Sequence, residues 1–331
     1  MPPGPLDLPA NATFVSDPDE EIFLLYTRLA TLKPPDSSDL GNFHGLGSEN
    51  SMEDALLVRI ELKPPPTTHE VANMSGESKR NTGRKIKGKK KKSSRSDITI
   101  GHEGMLEWGG KGQPEPVVLE YELFQDKTAL RSRSGDTGSV LWKASIEFLS
   151  LVLHQLHFPE PTRTGLFDYA KLSQTHILEL GAGTGLLALG LSSLVRRYTA
   201  TDVPALVPLL RKNLLSVTPT TANTVTVAAL DWTLPARRQV DVCADPPDVL
   251  LVVDCIYHPT LVPPLLGTMT ALAEPRRTVA LVVAELRAED VLRGFLEEWI
   301  ALGWRVWSVG EGLLGPRWGM WVGWRETWVA E

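Results

Sequence analysis

HILELGAGTG, residues 176–185, sets a short apolar run against a glycine-rich turn, and its reading decides the fold. An apolar run carrying Ile177, Leu178 and Leu180 suits a buried strand. The glycines after it let the backbone turn sharply and let a ligand approach the main chain. The next stretch, TGLLALGLSSLV, reads as a helix whose start offers N–H groups to a bound group. Strand, glycine bend and helix together open an α/β layer.

Moving outward, the same alternation continues to the end of the chain. YTATD (198–202), TVTVAAL (224–230), VLLVVDCI (249–256), TVALVVAEL, WRVWSVG and RWGMWVGWRET read as strands. VPALVPLLRKNLL, TLVPPLLGTMTALAE and EDVLRGFLEEWIALG read as helices between them. Upstream, SVLWKASIEFLSLVLHQLH has apolar residues at helical spacing and predicts a long amphipathic helix. Seven strands with intervening helices predict an α/β, doubly wound, mostly parallel sheet covered on both faces. Seven of the ten Trp fall between 299 and 328, in the last strands and the helix before them, and read as core filling. His154 and His157 stand three apart on the long helix without a Cys, Asp or Glu cluster, so no metal site is expected.

The amino-terminal third differs. Residues 33–50 and 63–98 are rich in Pro, Ser, Gly, Asn and Lys and show no apolar period, which marks loops. ALLVRIEL (55–62) and PVVLEYELF (116–124) are short runs that could pair as strands, and the second alternates as a half-buried strand does. The expected division is an extension over 1–62, a basic loop over 63–98, a β-hairpin cap over 99–136 and the main domain over 137–331. The formal net charge is −6, yet residues 79–95 hold ten Lys or Arg and no acid. Outside that stretch 24 basic residues face 40 acidic ones, so the body is acidic and offers no broad surface to nucleic acid. The basic stretch itself reads as a solvated insertion, a nuclear-import signal or an arm toward nucleic acid.

Only Cys243 and Cys255 are present, which argues against a disulfide framework and for a reducing, cytoplasmic setting, with nuclear entry as the added reading of the basic loop. The first residues lack the basic and apolar regions of a secretory signal, and no apolar run approaches the ~20 residues of a membrane-spanning helix.

In open sheets of this kind ligands bind beyond the carboxyl ends of the strands, where strand order reverses. Four such ends carry candidate residues. The first is ELGAGTG, with Glu179, Gly181, Ala182 and Gly183; a dinucleotide fingerprint would need Gly at 186, where Leu186 stands. The second ends in Asp202, whose carboxylate suits a ribose, with helix capping as the plain alternative. Asp231 and Trp232 follow the third strand, as acceptor for an adenine amino group and cover for the base, with a turn carrying a half-buried Trp as the plain alternative. After the fourth comes DCIY, with Asp254 and Tyr257, whereas DPPD (245–248) precedes that strand and belongs to the opposite end.

These motifs resemble the seven-strand, non-SET protein lysine methyltransferases of the methyltransferase-like family, which carry D-x-x-Y after the fourth strand. The chain is most similar to the fungal ribosomal lysine methyltransferase 5 type, through TGSVLW (137–142), ELGAGTG, TATD, LDW, DCIY and AELR (284–287). The resemblance implies a class I methyltransferase fold with a small β-rich amino-terminal extension, S-adenosyl-L-methionine as cofactor and a lysine-bearing protein, by type a ribosomal one, as substrate. It implies that Trp142, Gly181 to Gly183, Asp202, Trp232 and Val253 contact the cofactor, and that Asp254 and Tyr257 shape the lysine channel. Within that scheme Asp254 is expected to orient the amine, with His258 the other candidate base. A methyltransferase acting on nucleic acid or a small molecule, and a non-catalytic cofactor-binding module, stay open at this point because fold alone does not fix function.

Overall fold

The computed structural model describes residues 2–31, 48, 53–65, 115–126, 138–159, 165–217, 224–235, 242, 245–310 and 312–327. The basic stretch 79–95 and Cys243 lie outside them. The chain divides into two units, Met1–Leu62 with Val118–Glu331, and Lys63–Val117. Nearly all of the second falls outside the described residues.

In chain order the first unit runs β1 (Thr13–Phe14), α1 (Pro18–Ala30), β2 (Ala55–Leu62), β3 (Val117–Phe124, whose first residue lies at the unit boundary), α2 (Lys143–His157), α3 (Tyr169–Leu172), β4 (His176–Leu180) and α4 (Leu186–Leu191). It continues β5 (Arg197–Asp202), α5 (Val207–Asn213), β6 (Thr224–Ala229), β7 (Val249–Val253), α6 (Val262–Leu272), β8 (Val279–Glu285), α7 (Glu289–Ala301), β9 (Arg305–Ser308) and β10 (Trp318–Trp324). The main sheet has the order β1-β9-β10-β8-β7-β4-β5-β6. From β4 the chain steps outward to β5 and β6, then returns to place β7 on the other side of β4. The reversal therefore lies between β4 and β7, where the carboxyl ends open a crevice.

Strands β4 to β8 pair in parallel, while β10 runs antiparallel between β8 and β9. The doubly wound sheet expected from the sequence is present with its seven strands. It carries an eighth, the two-residue β1, paired antiparallel to β9. Two residues are too short for a periodic signal. Every residue of β4 and β7 is buried, as strands covered on both faces require.

On one face Leu178, Leu180, Leu250, Val252 and Val282 share a core with α6, α7 and the Ile22 and Leu25 side of α1. Trp299, Trp304, Trp321 and Trp324 are buried, in line with the core-filling reading of the tryptophans. Helix α1 is started by Asp17, whose carboxylate accepts the N–H groups of Asp19 and Glu20, with Pro18 in the first turn. Its buried Glu21 accepts the indole N–H of Trp321 at 2.9 Å, tying the helix to β10. Residues 2–31 thus pack in the same unit as the main sheet. Within 99–136 the described residues contribute one strand, β3, whose partner is β2 and not a second strand of the same stretch.

Two helices are shorter than their patterns suggest. Gly185 has φ 84, outside the helical region, so α4 starts at Leu186. Residues Val203 to Leu206 form a turn, closed by the Leu206 N–H on the Val203 carbonyl, so α5 starts only at Val207.

Trp299 lies in α7, fully buried, its ring 5.2 Å from Phe295 and 5.8 Å from Trp304. Trp299→Ala is expected to cost about 3–5 kcal/mol through lost burial and the cavity left behind. Urea unfolding of both proteins checks this through the shift in midpoint.

Candidate active site

At the β4/β7 reversal lies a cavity of about 340 Å³, of the size that small-molecule sites use. Trp142, Gly181, Ala182, Gly183, Asp202, Asp231, Trp232, Val253, Asp254 and Tyr257 all line it. Residues drawn from five separate segments of the sequence therefore converge on one space.

The glycine bend is held by its neighbours. Thr201 donates its hydroxyl to the Glu179 carbonyl at 2.6 Å, and the Ala182 N–H reaches the Thr201 carbonyl at 2.9 Å. The Gly183 N–H then donates to Asp202 Oδ2 at 2.7 Å, while Oδ1 accepts from Val203 N–H at 2.7 Å. Gly183 has φ 53, and a Cβ there would stand 3.1 Å from the Gly138 carbonyl oxygen. Gly181 has φ 70, and its added Cβ would meet Cys255 Sγ at 2.7 Å and the Trp232 ring at 3.3 Å. A side chain at either position would strain the backbone and crowd the cavity wall. Asp202 is not a helix cap, because α5 begins five residues later.

One of the candidate residues stands apart from the cavity lining. Glu179 is buried below the bend and does not line the cavity; its carboxyl accepts the Tyr198 hydroxyl at 2.8 Å. By strand alternation its side chain points to the sheet face opposite that of Leu178 and Leu180, where it packs under the bend. Burial pushes its carboxyl up to about 8, against the lowering effect of the Tyr198 hydrogen bond and with the Asp202 charge adding to the rise.

The segment after β7 bends abruptly. Asp254 has φ 59, a left-handed conformation costing a non-glycine residue about 1–2 kcal/mol and best tolerated by Asp or Asn. Its N–H still bonds the Val283 carbonyl at 2.8 Å, so the turn begins directly off the ladder. The carboxylate, with its side chain 4% exposed, pairs through Oδ2 with Arg287 Nη2 at 2.6 Å. Burial raises the Asp254 carboxyl and Arg287 opposes the rise; burial prevails because the guanidinium, 29% exposed, is partly screened by solvent. His258 instead serves a turn: its Nδ1 contacts the Thr260 hydroxyl at 2.8 Å and accepts the Thr260 N–H at 3.3 Å. It does not line the cavity. DPPD is confirmed at the opposite end, where Asp245 and Asp248 both bind Arg277.

The motif reading gave no role to three contributors. Asn213 donates to the carbonyls of Phe124 and Thr184 and accepts the Phe124 N–H, clipping β3 to the bend. Gln125 accepts the Leu141 N–H at 2.7 Å and so holds the wall that carries Trp142. A single polar residue at a helix or strand end carries no sequence signal of such a role. Arg287 stood in AELR, at the carboxyl end of β8, where a signal was available from strand-end placement.

Residues 125–298 match the family described as lysine methyltransferase, more than half of the chain. The chain belongs to the lysine methyltransferase family. Among curated proteins, the chain is 34% identical over 178 residues to diaminohydroxyphosphoribosylamino-pyrimidine deaminase of Schizosaccharomyces pombe, a match covering 53% of this chain and 41% of that protein. It is 28% identical over 236 residues to ribosomal lysine N-methyltransferase 5 of Kluyveromyces lactis, covering 57% of this chain and 73% of that one. To protein-lysine N-methyltransferase EFM2 of Saccharomyces cerevisiae it is 30% identical over 168 residues, covering 46% and 39%. The matched stretch thus spans less than half the length of the first and third of these relatives.

The position of Glu179 generates a test of pH-dependent stability. An unfolded chain ionises this carboxyl near its ordinary value of 4.5, while the folded protein keeps the proton until about 8. Between those values the unfolded state binds fewer protons, so this group makes folding less favourable as pH rises. Glu179→Gln mimics the protonated form and is expected to remove that slope. Relative to wild type it should gain roughly 1–4 kcal/mol between about pH 5 and pH 8, read from urea midpoints at both pH values.

Proposed function

We propose that this protein is an S-adenosylmethionine-dependent protein-lysine N-methyltransferase whose acceptor amine is presented to Asp254. The observation that carries the reading is the single cavity shared by the glycine bend, Asp202 and the buried Asp254. The residues fit the cofactor: Gly181 and Gly183 keep the floor clear of side chains, the Asp202 carboxylate would accept the ribose hydroxyls, and Asp231 and Trp232, on the same wall, would hold and cover the base. Bound there, S-adenosylmethionine supplies a methyl carbon on a sulfonium, so that a nitrogen–carbon bond forms as the carbon–sulfur bond breaks and the amine's proton goes to water.

The protein's own contribution is placement. A free lysine amine must lose a proton at a cost of roughly 4–5 kcal/mol at neutral pH, and its lone pair must then point along one line. Asp254 receives the amine as a hydrogen-bond acceptor and fixes that direction, while Tyr257 walls the channel. Trp142, Leu141 and Trp232 border the same space and exclude water from it.

A ribosomal protein is the proposed acceptor, supported by the relatives named as ribosomal lysine N-methyltransferase 5 and by the acidic body of the chain, which suits a basic partner. A cytoplasmic location belongs to the same proposal. Deamination, named for the Schizosaccharomyces pombe relative, finds no support here: zinc deaminases use a Cys-x-x-Cys pair, whereas Cys243 and Cys255 stand twelve residues apart.

Asp254→Asn is expected to lower kcat about a hundredfold, the scale of a misaligned reacting group, with cofactor affinity retained by calorimetry. Tyr257→Phe should change the ratio of mono-, di- and trimethylated product. Methyl incorporation into ribosomal protein, followed by mass spectrometry, checks both. Near wild-type turnover in both variants would contradict the assignment.

A further inference from the structure

Arg287 is the charged group at the site that the motif reading leaves without a role. It follows β8, with its N–H on the Glu285 carbonyl at 2.9 Å and the neighbouring Leu286 N–H on the Arg317 carbonyl at 2.9 Å. Its side chain is held from three sides. Nη2 contacts Asp254 Oδ2 at 2.6 Å, while Nε and Nη2 reach Glu285 Oε2 at 2.8 and 2.6 Å. The guanidinium carbon lies 4.9 Å from the centre of the Trp142 ring, in cation–π contact. Contacts to the end of β7, the end of β8 and the start of α2 make this a fixed part of the wall, since displacing it would break all three at once.

Its chemistry answers a difficulty at Asp254. A bare carboxylate beside an amine favours the ammonium form, which has no lone pair to attack with. The acceptor residue would then hold its substrate in the wrong protonation state. We propose that Arg287 is a positioning residue for methyl transfer: it pins one oxygen of Asp254 and offsets its charge, so that the carboxylate aligns the incoming amine without holding a proton on it. This rests on the protein-lysine reading above. The other titratable groups around that position are Glu285, already engaged by Arg287, Asp202 and Asp231 on the cavity wall, and the side chains of Cys255 and Tyr257. Asp202 and Asp231 add negative charge to the cavity, which increases the need for a cation at Asp254. Arg287 rather than a lysine suits the place, because a planar guanidinium binds two carboxylates and stacks on an indole at the same time.

Two measurements test this. The first is an NMR titration of the full chain with isotope-labelled aspartate carboxyl carbons, with Asp254→Asn used to assign the signal. Arg287→Met and Arg287→Gln are each expected to raise the Asp254 midpoint by about one pH unit or more, as loss of a cation at contact distance requires. An unchanged midpoint in a variant that melts cooperatively overturns the proposal. The second follows kcat against pH with saturating S-adenosylmethionine and a synthetic lysine-rich peptide. The uncharged variants should reach their alkaline plateau about one pH unit later than wild type, with the plateau largely retained and Arg287→Lys between the two. A fall that is equal at every pH means a merely structural role and also overturns it. Should wild type transfer no methyl to lysine at any pH, the protein-lysine reading fails, and the role of Arg287 at Asp254 is then decided by the carboxyl titration alone.

Discussion

The hydrogen bond from the Gly183 N–H to Asp202 Oδ2, 2.7 Å long, is the constraint on which the site depends. It joins the bend after β4 to the last residue of β5, and so fixes where the main chain can approach a ligand. The bond needs a donor with no side chain in the way, which Gly183 provides at φ 53. It also needs an acceptor at one register position, which parallel pairing of β4 with β5 supplies. Ala182 and Leu230 add backbone bonds to Thr201 and Asp202, so three strand ends are tied into one rim. Placing the reversal between β4 and β7 brings Asp254 to that same rim from the other side.

Three acids near this rim are set apart by their surroundings. Glu179 lies under the bend, engaged by Tyr198 and raised by burial. Asp202 is oriented by two N–H groups and faces the cavity. Asp254 sits in a left-handed turn with a guanidinium on one oxygen. The same functional group thus serves support, recognition and alignment, because the neighbouring donors and the degree of burial differ at each position.

The sheet was legible because its strands alternate with helices and its central strands are unbroken apolar runs such as VLLVV. Strand ends were legible for the same reason, which is why Asp202, Asp231 and Asp254 could be placed together without coordinates. What the linear order conceals is side-chain direction. Glu179 stands two residues before Gly181, yet the strand turns it away from the crevice. The Asn213 clip and the Gln125 contact to Leu141 join residues 89 and 16 apart, respectively, and no local pattern marks them. Strand β1 was too short to register, and Arg287, though it stood at a strand end in AELR, showed its partner only when the distance to Asp254 was known.

The central claim is that the glycine bend, Asp202 and Asp254 form one cofactor-and-amine site. A crystal structure of the protein with S-adenosylhomocysteine tests it most directly. The ribose hydroxyls are expected on Asp202, the base beside Trp232, and the sulfur directed toward Asp254. A ligand seated elsewhere, or sulfur facing away from Asp254, would contradict it.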